Sequence, residues 1–431
     1  MKVDRYDRKT AESYYEASKN WQIEAPELRG HQQADVVVIG GGLTGASTAL
    51  CLAERGVSVA LLESRHFGWG ASGRSGGQII SGYAAEQSTL EKLVGVETAR
   101  ELWDHSIAAV EFTRSRIQRH NIKCDFEQGY LHVGVKQRHA AELNAWAEHM
   151  DKVYGHSILE YHDKSQLAEI LGSDMYVGGV SDPGSGHLHP LNYSLGVARA
   201  AGDAGAVLYQ NSPVLRVEKL GSSSQVHTEQ GSIRCDSVVY ACNAYLDRLN
   251  KDLQSTIMPV GTYIVATEPL GESTACSLIS NNAAVSDTNF VLDYYRLSSD
   301  HRLLFGGRVS YSTLEPRQLS ASLEKRMLRV FPQLAGTRIE FSWGGFVAIT
   351  RNRAPHIGRL ADNHFFAQGF SGHGMALTGY IGSLLAQAVI GEQDQLDCFE
   401  QIPHKSFPGG PAMRMPALVV AMAYHRMLDH L

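Results

Sequence analysis

The stretch DVVVIGGGLTGASTALCLAERGVSVALLE, residues 35–63, limits the possible folds more than any other part of the chain. The unbroken β-branched run from Val36 to Ile39 suits a parallel strand buried on both faces. The glycine turn then opens a helix that ends at Gly56, and VSVALLE reads as a second strand. Strand, helix and strand within about thirty residues make a βαβ unit. Gly40, Gly42 and Gly45 fill the spacing GxGxxG. There the first glycine permits the tight turn, the second lets a pyrophosphate approach the backbone, and the third lets the helix pack on the strand. The helix N-terminus adds amide donors for phosphate. Glu63 ends the second strand, where an acidic side chain accepts the ribose hydroxyls of an adenosine. A turn shaped only for packing leaves Glu63 unexplained, so a dinucleotide is expected here.

Directly beyond lies FGWGASGRSGGQ, Phe67 to Gln78, with five glycines in twelve residues. Nicotinamide dehydrogenases usually continue into regular βα units. This loop instead offers backbone amides to a pyrophosphate and to the edge of an isoalloxazine ring. The plain alternative is a flexible surface loop, but such loops seldom combine Phe67, Trp69 and Ile79 with so many glycines. A second glycine turn, GFSGHGMALTG from Gly369 to Gly379, leads into a helix expected to begin near Gly374. Its unpaired amides and positive dipole end suit the negative charge that a reduced flavin gathers at N1 and the C2 carbonyl. His373 either donates to the same region or holds the loop.

A chain of 431 residues is too long for one core and suggests two domains. The net charge of −6 argues against a nucleic-acid partner. The polar N-terminus lacks the apolar core of a signal peptide. Six scattered cysteines without a CxxC pair point to a reduced, cytoplasmic setting. PALVVAMAY, near the C-terminus, is about half the length needed to span a bilayer, so it reads as a docked helix or interface element. No internal repeat is present. The expected fold is α/β: a Rossmann-like FAD-binding domain with an interleaved α+β substrate domain on an antiparallel or mixed sheet. The cofactor domain is assigned to 34–90, 186–255 and 343–400, and the substrate domain to 91–185 and 256–342. Residues 1–33 form an N-terminal extension and 401–431 a C-terminal apolar helix.

With DVVVIGGGLTG, LLES, ASGRSGGQ, VVYACNAY and GFSGHGM in this order, the chain resembles the FAD-dependent amine oxidoreductases of the D-amino-acid oxidase and sarcosine oxidase superfamily. SYYEAS, GWGASGRSGGQ, GSGHLHPLNY, ATEPL and FPGG make it most similar to the γ-glutamylputrescine oxidases within that superfamily. The resemblance implies that Gly40, Gly42 and Gly45 hold the pyrophosphate and Glu63 the ribose. It places Ala71, Ser72, Gly76, Gly77 and Gln78 along the flavin, and Val214 at the adenine. It sets Gly372, His373, Gly374 and Met375 beside N1 and the C2 carbonyl. Relatives with covalent FAD carry a cysteine in the segment matching WGGFVAIT, where this chain has Gly344 and Gly345, so a non-covalent flavin is expected. Relatives that oxidise small N-methyl amino acids place a lysine just after the SGHG turn; here Met375, Ala376 and Leu377 follow. That counts against an α-carboxylate beside the reacting amine and for a plain primary amine.

The expected reaction is oxidative deamination of γ-glutamylputrescine or a related γ-glutamylated polyamine, with dioxygen as acceptor. An apolar, aromatic pocket would favour the neutral, reactive amine. Candidates for its walls are Trp69, Tyr83, Tyr263, Tyr294, Tyr295 and Trp343, although aromatic residues in strands are core more often than ligand contacts. Alternation sends only one of Tyr294 and Tyr295 inward. A glutamyl carboxylate calls for an arginine, with Arg296, Arg308 and Arg351 as candidates; Arg74 reads as structural. His187 and His189 have no third ligand at metal spacing, so no metal is expected. No residue stands out as a general base. Two alternatives stay open: a dehydrogenase passing electrons to a quinone or carrier, docked to a membrane or partner through the C-terminal helix, and a flavin-carrying subunit of a larger assembly.

Overall fold

The computed structural model describes residues 13–289, 292–310, 319–361, 363–392 and 395–408. The βαβ unit forms as its residues require. Val36–Ile39 and Val59–Leu62 are fully buried and pair in parallel, and every residue of the crossing helix Leu43–Ala53 is buried. Val207–Tyr209 extends this sheet beyond Val59–Leu62, while Ser237–Tyr240 and His364–Gln368 extend it on the other side, all in parallel. His356–Ala361 closes that edge antiparallel. The sheet therefore gathers strands from three distant parts of the chain. The helix Met375–Val389 lies against Leu43–Ala53 so closely that a Cβ on Gly382 would stand 2.6 Å from the Thr44 carbonyl oxygen.

A second sheet has nine strands. Eight follow the order Ile339–Ile349, Met258–Thr267, Leu303–Ser310, Tyr294–Leu297, Ala284–Asp287, Glu127–Gly134, Gly178–His187, Gln78–Ile79, and Glu160–Asp163 also pairs with Gly178–His187. Every pairing is antiparallel except that of Ala284–Asp287 with Glu127–Gly134. One face is covered by the helix Leu319–Val330, and Leu131, Val133, Tyr263, Val285, Tyr295 and Phe305 share a core with Leu323 and Met327. Strand alternation turns Tyr130, His132, Ser286, Tyr294 and Arg296 to the other face.

Several expectations are adjusted. CDFEQGYLHVGV, whose sequence reads as a strand pair, forms one strand, Glu127–Gly134, and its antiparallel partner is the distant Gly178–His187. Gln78–Ile79 and Ile339–Ile349 join the nine-stranded sheet, although both overlap segments assigned to the cofactor domain. In the N-terminal extension, Gly30–Gln33 pairs in parallel with Gly231–Cys235 in a four-stranded sheet, and the short helix Tyr14–Ala17 buries both its tyrosines. The long helix Gln87–Arg119 is kinked at Gly95, whose φ is 83°. Among the described residues no helix is long and apolar enough to cross a membrane. The apolar C-terminal run PALVVAMAY lies outside the described residues.

Candidate active site

The glycine turn after Val36–Ile39 has no room for side chains. Gly40 adopts φ 111°, and a Cβ there would stand 2.6 Å from the Ala241 carbonyl oxygen; one on Gly45 would stand 1.9 Å from that of Gly40. Gly42 caps the helix Leu43–Ala53, with the Ser72 hydroxyl 2.9 Å from where its Cβ would be. Ser72 Oγ accepts the Leu43 N–H at 3.0 Å, which brings the flavin-loop candidates to the helix N-terminus. Glu63 is 9% exposed. Its Oε2 accepts the Gly41 N–H at 2.7 Å, and its Oε1 accepts Ser64 Oγ at 3.0 Å and the Arg65 N–H at 2.8 Å. Oε1 is thereby filled, while Oε2 keeps acceptor capacity for a sugar hydroxyl. The Glu63 carbonyl takes the Ser212 N–H at 2.9 Å, so the segment leading to Val214 runs alongside. Side-chain-free backbone, an acidic side chain and a helix N-terminus thus meet in one place, which fits an adenine dinucleotide.

The flavin loop is braced from beneath by two arginines. Arg74 donates from Nε to the Trp69 carbonyl at 2.6 Å and from a terminal nitrogen to that of Gly344 at 3.1 Å. Its guanidinium lies 4.8 Å from the Trp69 ring centroid, and that of Arg65 lies 4.7 Å from the same centroid. Trp343, 2% exposed, donates from Nε1 to the Arg74 carbonyl at 3.0 Å. Arg296 donates to the Gly76 carbonyl at 2.6 Å, the Leu297 carbonyl at 3.0 Å and the Tyr15 hydroxyl at 3.1 Å. The Tyr294 ring covers Gly76, 2.9 Å from where a Cβ would be. Gln78 Nε2 donates to the Val285 carbonyl at 3.0 Å and its Oε1 accepts Ser286 Oγ at 3.2 Å, which ties the end of the loop to the second sheet.

The second glycine turn meets that same end. Gly374 caps the helix Met375–Val389, as expected, and Gly372 takes φ 93° with open space where a Cβ would be. His373 Nε2 lies 3.1 Å from the Ser81 carbonyl oxygen and 3.3 Å from that of Ile80. Both partners only accept, so Nε2 carries the proton; burial pushes the imidazole pKa down, which keeps the ring neutral.

The remaining candidates divide. Tyr294 and Trp343 face the loop. Tyr295 faces the opposite way, stacked on Phe305 at 5.6 Å beneath Leu319–Val330, and Tyr263 joins that same core, packed over Gly344. Tyr83 is buried, and its hydroxyl donates to the Leu102 carbonyl at 2.5 Å. These three fill cores because each lies on a covered face or against a helix, which local sequence does not reveal. As for the carboxylate candidates, Arg296 gives one donor to the loop at Gly76 and others to Leu297 and Tyr15, Arg351 is exposed near the Ser406 carbonyl, and the Arg308 side chain lies outside the described residues.

The GHLHP histidines serve the scaffold. His187 Nε2 donates to the Asn282 carbonyl at 2.8 Å, while His189 Nδ1 accepts the Asn192 N–H at 3.1 Å and caps the helix Pro190–Asp203. Burial, and then the neighbouring Arg296, push both pKa values down to about 3. Elsewhere Glu101, His105 and Cys398 bring potential ligand atoms within 4.8 Å of one another, with His105 Nδ1 bonded to the Tyr380 hydroxyl.

Sequence reading overlooked Tyr130, His132 and Ser286 on the strands facing the loop. Burial holds the His132 pKa down at about 4. Tyr130 and His132 are both half-buried on that face. The signal was present in GYLHVG, where polar residues alternate with Leu131 and Val133 in a strand buried on both sides.

Residues 35–388 match the family described as FAD dependent oxidoreductase. The chain is 39% identical to the γ-glutamylputrescine oxidoreductase of Escherichia coli over 420 residues, covering 97% of this chain and 98% of that one. It is 40% identical to the probable oxidoreductase OrdL of Haemophilus influenzae, covering 97% of each. Its fold is shared with the glycine oxidase of Geobacillus kaustophilus (TM-score 0.74, 22% identity, 87% of this chain and 100% of that one). The L-proline dehydrogenase from P. horikoshii shares it too (TM-score 0.70, 22% identity, 87% and 98%). With a glycine cradle that fits the cofactor and a family match across most of its length, the chain belongs to the FAD-dependent oxidoreductases, as an amine oxidoreductase that uses FAD.

Proposed function

We propose that the enzyme oxidises the primary amine of γ-glutamylputrescine or a related γ-glutamylated polyamine. In this reading R–CH2–NH2, O2 and H2O give R–CHO, NH3 and H2O2. When bound, FAD supplies a two-electron acceptor for the carbon that bears the amine. The protein binds, orients and dries. Gly40, Gly42, Gly45 and Ser72 hold the pyrophosphate at the helix N-terminus, Glu63 the ribose, and the Val214 backbone the adenine. Ala71, Gly76, Gly77 and Gln78 would line the flavin, and Gly372, His373, Gly374 and Met375 would supply donors to its C2 carbonyl side. No cysteine stands in Trp343–Thr350, which supports non-covalent attachment.

One observation carries the substrate reading: the sheet face turned to this site presents Tyr130, His132, Ser286 and Tyr294 beside an Arg296 already bonded to Gly76, Leu297 and Tyr15, and the uncharged Met375, Ala376 and Leu377 follow the glycine turn where a carboxylate-pairing lysine would stand. Such walls favour an uncharged amine by desolvating the ammonium form. The glutamyl carboxylate then needs a cation of its own, for which Arg308 stays a candidate from the sequence. All six cysteines are unpaired, which suits a reducing, cytoplasmic setting.

The deciding experiment is peroxide release from FAD-loaded protein given γ-glutamylputrescine, beside putrescine, spermidine, sarcosine and D-alanine. Fast turnover of the γ-glutamyl amine alone is expected. Sarcosine or D-alanine as the better substrate would overturn the reading. Flavin bleaching without oxygen but no peroxide with it would replace dioxygen by another acceptor.

A further inference from the structure

Tyr130 and His132 alternate with Leu131 and Val133, which lie in the core beneath Leu319–Val330. The two polar side chains therefore emerge on the face turned to the flavin loop. Ser286 stands opposite His132 on the neighbouring parallel strand, and Ala284 opposite Tyr130. Ser286 in turn donates to Gln78, the last residue of the loop. His132 stands next to Ser286 on this face, and burial above all, with the nearby His373 of the second glycine turn adding to it, pushes its pKa down to about 4, so the ring is neutral.

A neutral imidazole carries an N–H at one nitrogen and a lone pair at the other. That nitrogen accepts and cannot donate. His373, with its Nε2 proton turned to Ser81 and Ile80, is likewise neutral and brings no net charge to compete for it. The chemical partner that suits a buried lone pair is an N–H group without full charge. A primary amine in its reactive form has two N–H bonds and one lone pair. Donating one N–H fixes the nitrogen while its own lone pair stays free to assist loss of hydrogen from the adjacent carbon. A carboxylate has no N–H and would set lone pair against lone pair.

We propose that His132 is a catalytic residue whose open ring nitrogen accepts an N–H from the substrate amine and orients it at the flavin. The inference rests on the amine-oxidation reading above. It adds the group that meets the reacting nitrogen and a reason for discriminating against carboxylates at that spot.

The test uses FAD-loaded wild type, His132→Ala and His132→Asn, mixed with γ-glutamylputrescine without oxygen. Two quantities are read: the limiting rate of flavin bleaching, and the FAD dissociation constant from flavin fluorescence. His132→Ala is expected to lower the bleaching rate roughly 10- to 100-fold, the scale of a misplaced reactant. His132→Asn, which restores an acceptor oxygen, recovers part of it. FAD affinity stays close to wild type in both. Bleaching of His132→Ala at the wild-type rate overturns the inference while leaving the functional reading intact. Equal loss of FAD affinity in both variants also overturns it, because the role would then be structural. If wild type is not bleached by the amine, the functional reading fails first, a result distinct from both of these.

Discussion

Glu63 accepts hydrogen bonds from Gly41, Ser64 and Arg65, and these fix both its oxygens relative to the glycine turn. In Glu63→Gln one oxygen becomes an NH2 group facing N–H donors, so a bond to charge is lost and a repulsion is gained. FAD affinity is expected to fall roughly 10- to 100-fold, the worth of a hydrogen bond to a charged group; fluorescence titration of the apoprotein measures it. Glu63 and its turn were legible in the sequence because turn, helix and acid lie within one short unit whose spacing fixes their geometry. Arg296 was not. Its acceptors on Tyr15 and Gly76 are 281 and 220 residues away, and only the folded sheet brings them together. A sequence reader sees an arginine suited to a carboxylate, while the structure supplies it with carbonyls.

At the scale of elements, the helix Tyr14–Ala17 is too short to be stable alone, and its packing holds it in place. Tyr15 is fully buried, bonded to Arg296 and edge-on to Trp343 at 5.1 Å between ring centroids. Through those two partners it reaches Gly76 and Arg74 of the flavin loop. Tyr15→Ala should therefore weaken FAD binding as well as lower Tm, and Tyr15→Phe, which keeps the ring, should keep most of both. Unchanged FAD affinity in Tyr15→Ala would show that the short helix does not brace the loop. At the end of Ala284–Asp287, burial and then the neighbouring Asp293 push the Asp287 pKa up to about 7. The folded state thus holds a proton that the unfolded chain releases near pH 4. Stability from this group falls as pH rises from about 4 through 7, because over that range the native state binds more protons. Asp287→Asn, neutral at every pH, should gain Tm relative to wild type at pH 8 and lose that advantage at pH 5, as thermal melts at both values would read. Strand alternation made Tyr294 and Tyr295 separable in advance. Which of them faced the cofactor was not, because that depends on where Leu319–Val330 lies.

For the whole molecule, the interleaving of a cofactor sheet and a substrate sheet was legible, though not the third, four-stranded sheet: two strand–glycine–helix units stand near opposite ends of the chain with alternating strands between. The boundaries were not, because strand partners are set by pairing across hundreds of residues. We place the transition between the units inside the flavin loop, where Gln78–Ile79 already pairs with Gly178–His187. Both units then contribute to one cofactor site, so removing FAD should lower Tm by mass action and do so for a shared unfolding step. Calorimetry of apo and FAD-loaded protein tests this; two separate transitions, only one responding to FAD, would contradict it.

The position of that loop has a consequence for building hybrids between relatives. A crossover placed between Gly76 and Gln78 would graft one parent's phosphate cradle onto the other's sheet edge, with the Arg74–Gly344 and Arg296–Gly76 bonds now formed between mismatched parents. Chimeras intended to exchange substrate preference should instead inherit residues 67–78, 294–296 and 343–345 as a linked block, although these are scattered along the gene.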